Sequence, residues 1–209
     1  MTIHGHARLA AQHTDDQTGQ ANALNNLGAS YMQVGQFELA ADHLQLALAL
    51  YRRAGRRFGE AGTLDSLGTL HTHLGQPARA TGLHQSALTI FREIGDRAGE
   101  AWVLNSLGEA AHVAGRAADA LIHHTDAHTI ATDTGDCEQQ VRAHAGLGCA
   151  HDALGDPVLA RRHYQHALAL YTDLGMPQVD QIRARLDTID FSSCSQRYEV
   201  GSADDDGAL

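Results

Sequence analysis

Apolar residues recur along the chain in helical steps. Ala23, Leu24, Leu27, Tyr31 and Val34 keep the i, i+3, i+4 spacing of a buried stripe and predict a helix, A, over about residues 20 to 34. Gly35 follows, where a left-handed C-cap favours glycine. Leu39, Ala40, Leu44, Ala47, Leu48 and Tyr51 predict a second helix, B, over about residues 37 to 53, closed by Gly55. The pair then repeats. LNNLG at 24–28, LDSLG at 64–68, LNSLG at 104–108 and HAGLG at 144–148 stand forty residues apart, and Gly35, Gly75, Gly115 and Gly155 keep the same register. The units are 19–58, 59–98, 99–138 and 139–175. Pro77 and Pro157 fall at the start of helix B, where a missing N–H costs nothing. Gly28 and its equivalents lie mid-helix at a cost of about 1 kcal/mol relative to Ala, which implies helices too close there for a Cβ.

The flanks carry weaker patterns. His4 and Ala7 keep the register of Leu44 and Ala47, so residues 1–14 read as a partial helix: the end of a preceding repeat, or a cap. Val179, Ile182, Leu186 and Ile189 make residues 176–190 an amphipathic helix able to cover the last open face of a stack. Residues 191–209, ending GSADDDGAL, are polar and acidic and read as a disordered tail.

Leu-Gly in helix A, followed by Ala, a large residue and Ala in helix B, resembles the tetratricopeptide repeat, whose usual unit is 34 residues. The forty-residue unit is similar to that of cell-polarity adaptors of the LGN type, kinesin light chains and the repeat regions of actinobacterial regulators. The resemblance implies an all-α solenoid, a right-handed superhelix of four helical hairpins, with a concave groove lined by the A helices. It also implies a non-catalytic scaffold holding a protein or peptide segment, as a regulatory or sensor module of a bacterial signalling or transcription protein. Groove positions carried over from the family are Asn22, Asn25, Asp65, Thr69, Trp102, Asn105, Glu109, His112, Arg142 and Asp152. Asn25, Asp65 and Asn105 would form a ladder of short polar side chains suited to a peptide backbone, and Trp102 an apolar anchor. The Lys-rich clamp of chaperone-tail binders is missing, since all fifteen basic residues are Arg.

Charge narrows the classes. A formal net charge of -10 speaks against a nucleic-acid surface. No apolar run reaches the roughly 20 residues of a membrane span, so membrane residence is not expected and a cytoplasmic protein is. Cys137, Cys149 and Cys194 are an odd number and read as reduced thiols; no cofactor motif, phosphate loop or nucleophile–base arrangement occurs, so no enzyme is expected.

One region departs from the pattern. His124 stands in the column of Leu44, His84 and Tyr164, and His128 in that of Leu48, Leu88 and Leu168. His144 stands in that of Leu24, Leu64 and Leu104. The joint between units three and four has thus exchanged leucines for imidazoles, and His128 and His144 are expected to meet there. His124, His128 and His144 are the candidates for a metal or small-molecule sensor, the alternative to groove binding. Self-association as a homodimer through an exposed terminal face is the third reading.

Overall fold

The computed structural model describes residues 17–175 and 179–189. The segments expected over 1–14 and 191–209, and the first residues of the capping segment, lie outside the described residues. Among those described, nine helices and no strand occur. They are α1 (Gln17–Gln33), α2 (Phe37–Arg53), α3 (Arg57–His73), α4 (Pro77–Ile94), α5 (Arg97–Val113), α6 (Ala117–Thr134), α7 (Cys137–Ala153), α8 (Pro157–Asp173) and α9 (179–189). Odd-numbered helices up to α7 are the A helices and even-numbered ones the B helices. Each packs on its sequence neighbours, and the A helices also pack on one another across units. The closer row of A helices makes the inner face of the stack.

The A helices start about three residues earlier than the apolar pattern implies, because capping residues rather than the stripe set the boundary. Asp96 and Asp136 accept hydrogen bonds from the backbone N–H of Gly99 and Gln139, and Asp156 does the same for Leu159 at the start of α8, each at 3.0 Å. Helix ends are set by the spaced glycines; Gly95, for example, turns left-handed at φ 72°. Two stripe positions come out differently. Val34 is 68% exposed because α1 ends at Gln33 and the helical phase stops, and Leu39 is 42% exposed because it sits opposite Ala40, Leu44 and Ala47 on α2.

Close packing accounts for the mid-helix glycines. A Cβ at Gly28, Gly68, Gly108 or Gly148 would stand 2.5–2.6 Å from the side chain of Leu44, His84, His124 or Tyr164, respectively. Joints between units carry a further device. Glu60 accepts from Arg52 at 2.9 Å and from Arg57 at 2.8 Å, and Glu100 pairs with Arg92 and Arg97 at 3.5 and 3.2 Å. The equivalent positions at the third joint are Thr132 and Gln140, and Gln140 donates to the Ala131 carbonyl instead. The last apolar cluster joins Tyr164 and Tyr171 with Ile182 and Ile189 of α9, which are 7% and 4% exposed.

Candidate functional site on the inner face

The A helices carry two columns toward the inner side, and they behave differently. The first holds Asn25, Asp65 and Asn105. Asp65 is 2% exposed and Asn105 fully buried, so these two do not stand open on the groove. His84 Nδ1 lies 2.7 Å from Asp65 Oδ1, and His124 Nδ1 3.0 Å from Asn105 Oδ1. Asn105 also donates to the Gln139 carbonyl at 3.0 Å and to its side-chain oxygen at 3.1 Å. Asn25 is half-buried, with Oδ1 3.1 Å from Thr63 Oγ1. The ladder therefore ties helices together: the helix B column that changes from Leu44 to His84 and His124 faces it across the hairpin, a pairing the sequence pattern did not supply.

The second column is Asn22, Gly62, Trp102 and Arg142. Asn22 is exposed and accepts a short hydrogen bond from the Tyr51 hydroxyl; Trp102 and Arg142 are half-buried. Arg142 donates to Glu109 at 2.8 Å and reaches Gln139 and Ser106 at 3.3 and 3.4 Å. Glu109, His112 and Asp152 are exposed, and Thr69 is half-buried.

Between α1, α3 and α5 the inner face hollows into a cavity of about 740 Å³. Its walls bring together three of the expected residues, Asn22, Asn25 and Trp102, with Tyr51, Arg56, Arg57, Phe58, Gly62 and Thr63. The size falls in the range of ligand clefts, roughly 300–1,000 Å³. Arg56 and Phe58 were not legible from the groove register, because they sit at the turn and first helical residues. The signal was available in their column, where Phe58 aligns with Thr18, Ala98 and Glu138 and is 62% exposed.

The imidazoles divide into two sets. His124 is buried against Gly108 and Gly146, and burial lowers its pKa from 6.5 to about 4. With its Nδ1 committed to Asn105, it is apart from the other two metal candidates. His128 and His144 do meet, with ring centroids 4.5 Å apart. His144 also lies 5.1 Å from His166 and 5.4 Å from His163, its Nδ1 3.1 Å from that of His163, and His151 stacks on His163 at 5.4 Å. Burial, and then the neighbouring imidazoles, lower His144 and His163 to about 4 and lower His128 as well. His151, His163 and His166 were missed in sequence because His163 shares a column with His43 and His123. Their spacing was the clue, since 144 and 151 are seven apart and 163 and 166 three apart. Among the described residues no three His, Cys, Asp or Glu side chains are grouped to hold a metal ion.

Ser106, Asp65 and His84 have the composition of a hydrolytic triad but not its order. Asp65 stands between the other two, accepting from Ser106 Oγ at 3.4 Å, so the base does not touch the hydroxyl.

The profile of the tetratricopeptide repeat matches residues 19–93, 59–133 and 99–173. The chain belongs to the tetratricopeptide repeat family. Such repeats are in general non-catalytic scaffolds for protein interaction. No curated protein matches the chain in sequence. Among solved structures it is similar to BtubC (BKLC) from P. vanneervenii, at 18% identity and TM-score 0.73 over 99% of this chain and 89% of that one. It is similar also to a Rap protein complexed with competence and sporulation factor, at 17% identity and TM-score 0.76 over 90% of this chain and 52% of the Rap protein. A signal transduction ATPase with a tetratricopeptide repeat sensor, from Pyrococcus horikoshii, matches at 15% identity and TM-score 0.69 over 83% of this chain and 27% of its own. These likenesses are of fold. Among the described residues no helix is long and apolar enough to cross a membrane.

Proposed function

We propose that the chain is a peptide-binding regulatory module that holds a partner segment along the inner face of its A helices. It would serve as the sensor part of a cytoplasmic bacterial signalling or transcription-regulating protein. The observation that carries this reading is the cavity between α1, α3 and α5, walled by Trp102, Phe58 and the amides of Asn22 and Asn25. The Rap complex and the ATPase sensor lend it support, since each is a regulatory protein of the same fold. Beyond the cavity, Arg142, Glu109, His112, Thr69 and Asp152 extend the proposed groove, while Asp65 and Asn105 hold its helices in place.

Trp102 is the single tryptophan and reports on its own surroundings. A synthetic peptide array probed with the purified chain, followed by tryptophan emission for each binder on the wild type and by titration calorimetry on the variants, tests the reading. Binders are expected to lose affinity in Trp102→Ala and in Arg142→Ala. Binders indifferent to both substitutions would place the interface elsewhere.

A second reading, metal sensing by the imidazoles beside the third joint, is favoured by His144 of α7 and His163 of α8, whose Nδ1 atoms stand 3.1 Å apart. That spacing suits two ligands of one transition metal at about 2.0–2.1 Å, but a third donor would have to swing in. An unchanged melting temperature with Zn²⁺ or Ni²⁺ sinks it.

A further inference from the structure

Most glycines within the helices are explained by a neighbour: a Cβ at Gly28, Gly59, Gly68, Gly99, Gly108, Gly146 or Gly148 would come within 2.6 Å of a side chain. Gly62 is not. An ideal Cβ there meets no atom within 4 Å, and yet the residue sits inside α3, where glycine weakens a helix relative to alanine. Its column carries Asn22, Trp102 and Arg142 in the other units. Gly82 is similarly open, but it stands on the exposed outer side of α4 and does not border the cavity. What the missing side chain of Gly62 does is leave the cavity hollow beside Trp102.

The walls also have a definite polarity. Two arginines and no acidic residue border the cavity, in a chain of net charge -10. Arg57 is engaged by Glu60 and Glu93, whereas the guanidinium of Arg56 has no partner among the described residues. Asn22 spends its carbonyl oxygen on the Tyr51 hydroxyl, which leaves its N–H₂ to donate. The cavity thus offers a cation, an amide donor and, besides the buried Tyr51 whose hydroxyl is engaged by Asn22, the rings of Trp102 and the exposed Phe58.

We propose that the Gly62 hollow seats an aromatic side chain of an acidic partner segment, packed between Trp102 and Phe58, with the adjoining carboxylate on Arg56 and the Asn22 amide. This rests on the groove reading and gives it a chemistry. The apolar ring supplies the buried area, and the carboxylate, placed beside the exposed Arg56, chooses among segments.

The test uses Ac-Gly-Asp-Phe-Asp-Gly-NH₂, with Lys replacing both Asp in one control and Ala replacing Phe in the other, and follows Trp102 emission. The acidic Phe peptide is expected to bind about tenfold tighter than either control. Arg56→Gln should cost it about fivefold, the worth of an exposed ion pair. Gly62→Leu should abolish the response while its circular dichroism and melting temperature stay at or above those of the wild type. Equal binding of the charged pair overturns the proposal, as does undiminished binding to Gly62→Leu. If a segment still binds Gly62→Leu but fails on Arg142→Ala, the groove reading stands and the hollow is empty of function. If neither these probes nor an array of unrelated peptides changes the emission at about 1 mM, both fail together.

Discussion

Gly146→Ala puts the packing account at risk. Two units carry Ser66 and Ser106 in this column, so the repeat pattern alone favours a side chain at 146. The structure says otherwise. A Cβ at Gly146 would stand 2.3 Å from Cε1 and Nε2 of His124 and 2.5 Å from its Cδ2. Ordinary contact begins near 3.4 Å, so the ring must retreat by about 1 Å. It has nowhere to go, because its other face lies on the backbone of Gly108, and Nδ1 is tied to Asn105 at 3.0 Å. Overpacking costs about 1–3 kcal/mol, and weakening the buried hydrogen bond adds about 1 kcal/mol. The helical gain of Gly→Ala returns about 1 kcal/mol. The net is a loss of roughly 1–3 kcal/mol, or about 4–8 °C in melting temperature for a 2 kcal/mol change in a chain of this size. Gly62→Ala makes the matched control: with no atom within 4 Å, only the helical gain remains, and about 2–4 °C of stabilisation is expected. Urea and thermal unfolding by far-ultraviolet circular dichroism measure both. A Gly146→Ala protein as stable as the wild type, or two substitutions that shift stability the same way, refutes the reasoning.

Other outcomes follow from the same contacts. His144 and His163 have folded pKa values near 4, against an ordinary 6.5 once the chain unfolds, so the unfolded chain takes up protons first. The pair's contribution to stability is therefore complete above about pH 6.5 and is lost as the pH drops from there toward 4. Discounted for partial exposure, the loss is roughly 2–3 kcal/mol over that window, and urea midpoints for His144→Gln/His163→Gln should show a flatter profile. A slope unchanged by the double substitution removes the cluster as its cause. Asn105→Ala leaves His124 Nδ1 and the Gln139 carbonyl without their buried partner and is expected to cost about 1–3 kcal/mol by urea unfolding. A loss below 0.5 kcal/mol, roughly a surface value, would mean that water replaces the amide. Ile182→Ala uncovers Tyr164 and Tyr171; about 2–4 kcal/mol should be lost, with faster amide exchange in α8 before α1.

The repeat register and the glycine caps were legible because each rests on a local rule written four times over. The inner face was legible only as a set of columns. Sequence could say that Asn25, Asp65 and Asn105 share a position, but their exposure depends on what faces them across the hairpin. A leucine in unit one and imidazoles in units two and three give the same column two different fates. His163 was hidden for the converse reason: three of the four residues in its column are histidine, and only the tertiary approach of α7 to α8 brings it to His144. Cavities are a third kind of information. Gly62 reads in sequence as one more small residue, and its meaning depends on nothing being near it.

The two inner columns divide the labour of the array. Where helix B presents an imidazole, helix A answers with an oxygen, as Asp65 does to His84 and Asn105 to His124. Where it presents Tyr164, the hydroxyl goes to Cys149 and the facing residue is Ala145. In units two and three this column is set by the needs of its own hairpin and is closed to a ligand, whereas Asn25, half-buried and faced by Leu44, borders the cavity. Three residues earlier, Asn22, Gly62, Trp102 and Arg142 answer to no such internal partner column, and the four units carry four unlike chemistries there: amide, hollow, ring and cation. The first column varies with what helix B presents; on the proposed function, the variation of the second is what the array reads. On the proposed function, substitutions of Asp65 and Asn105 should change binding only as far as they change stability, and substitutions in the second column should change binding by more than any change in stability accounts for.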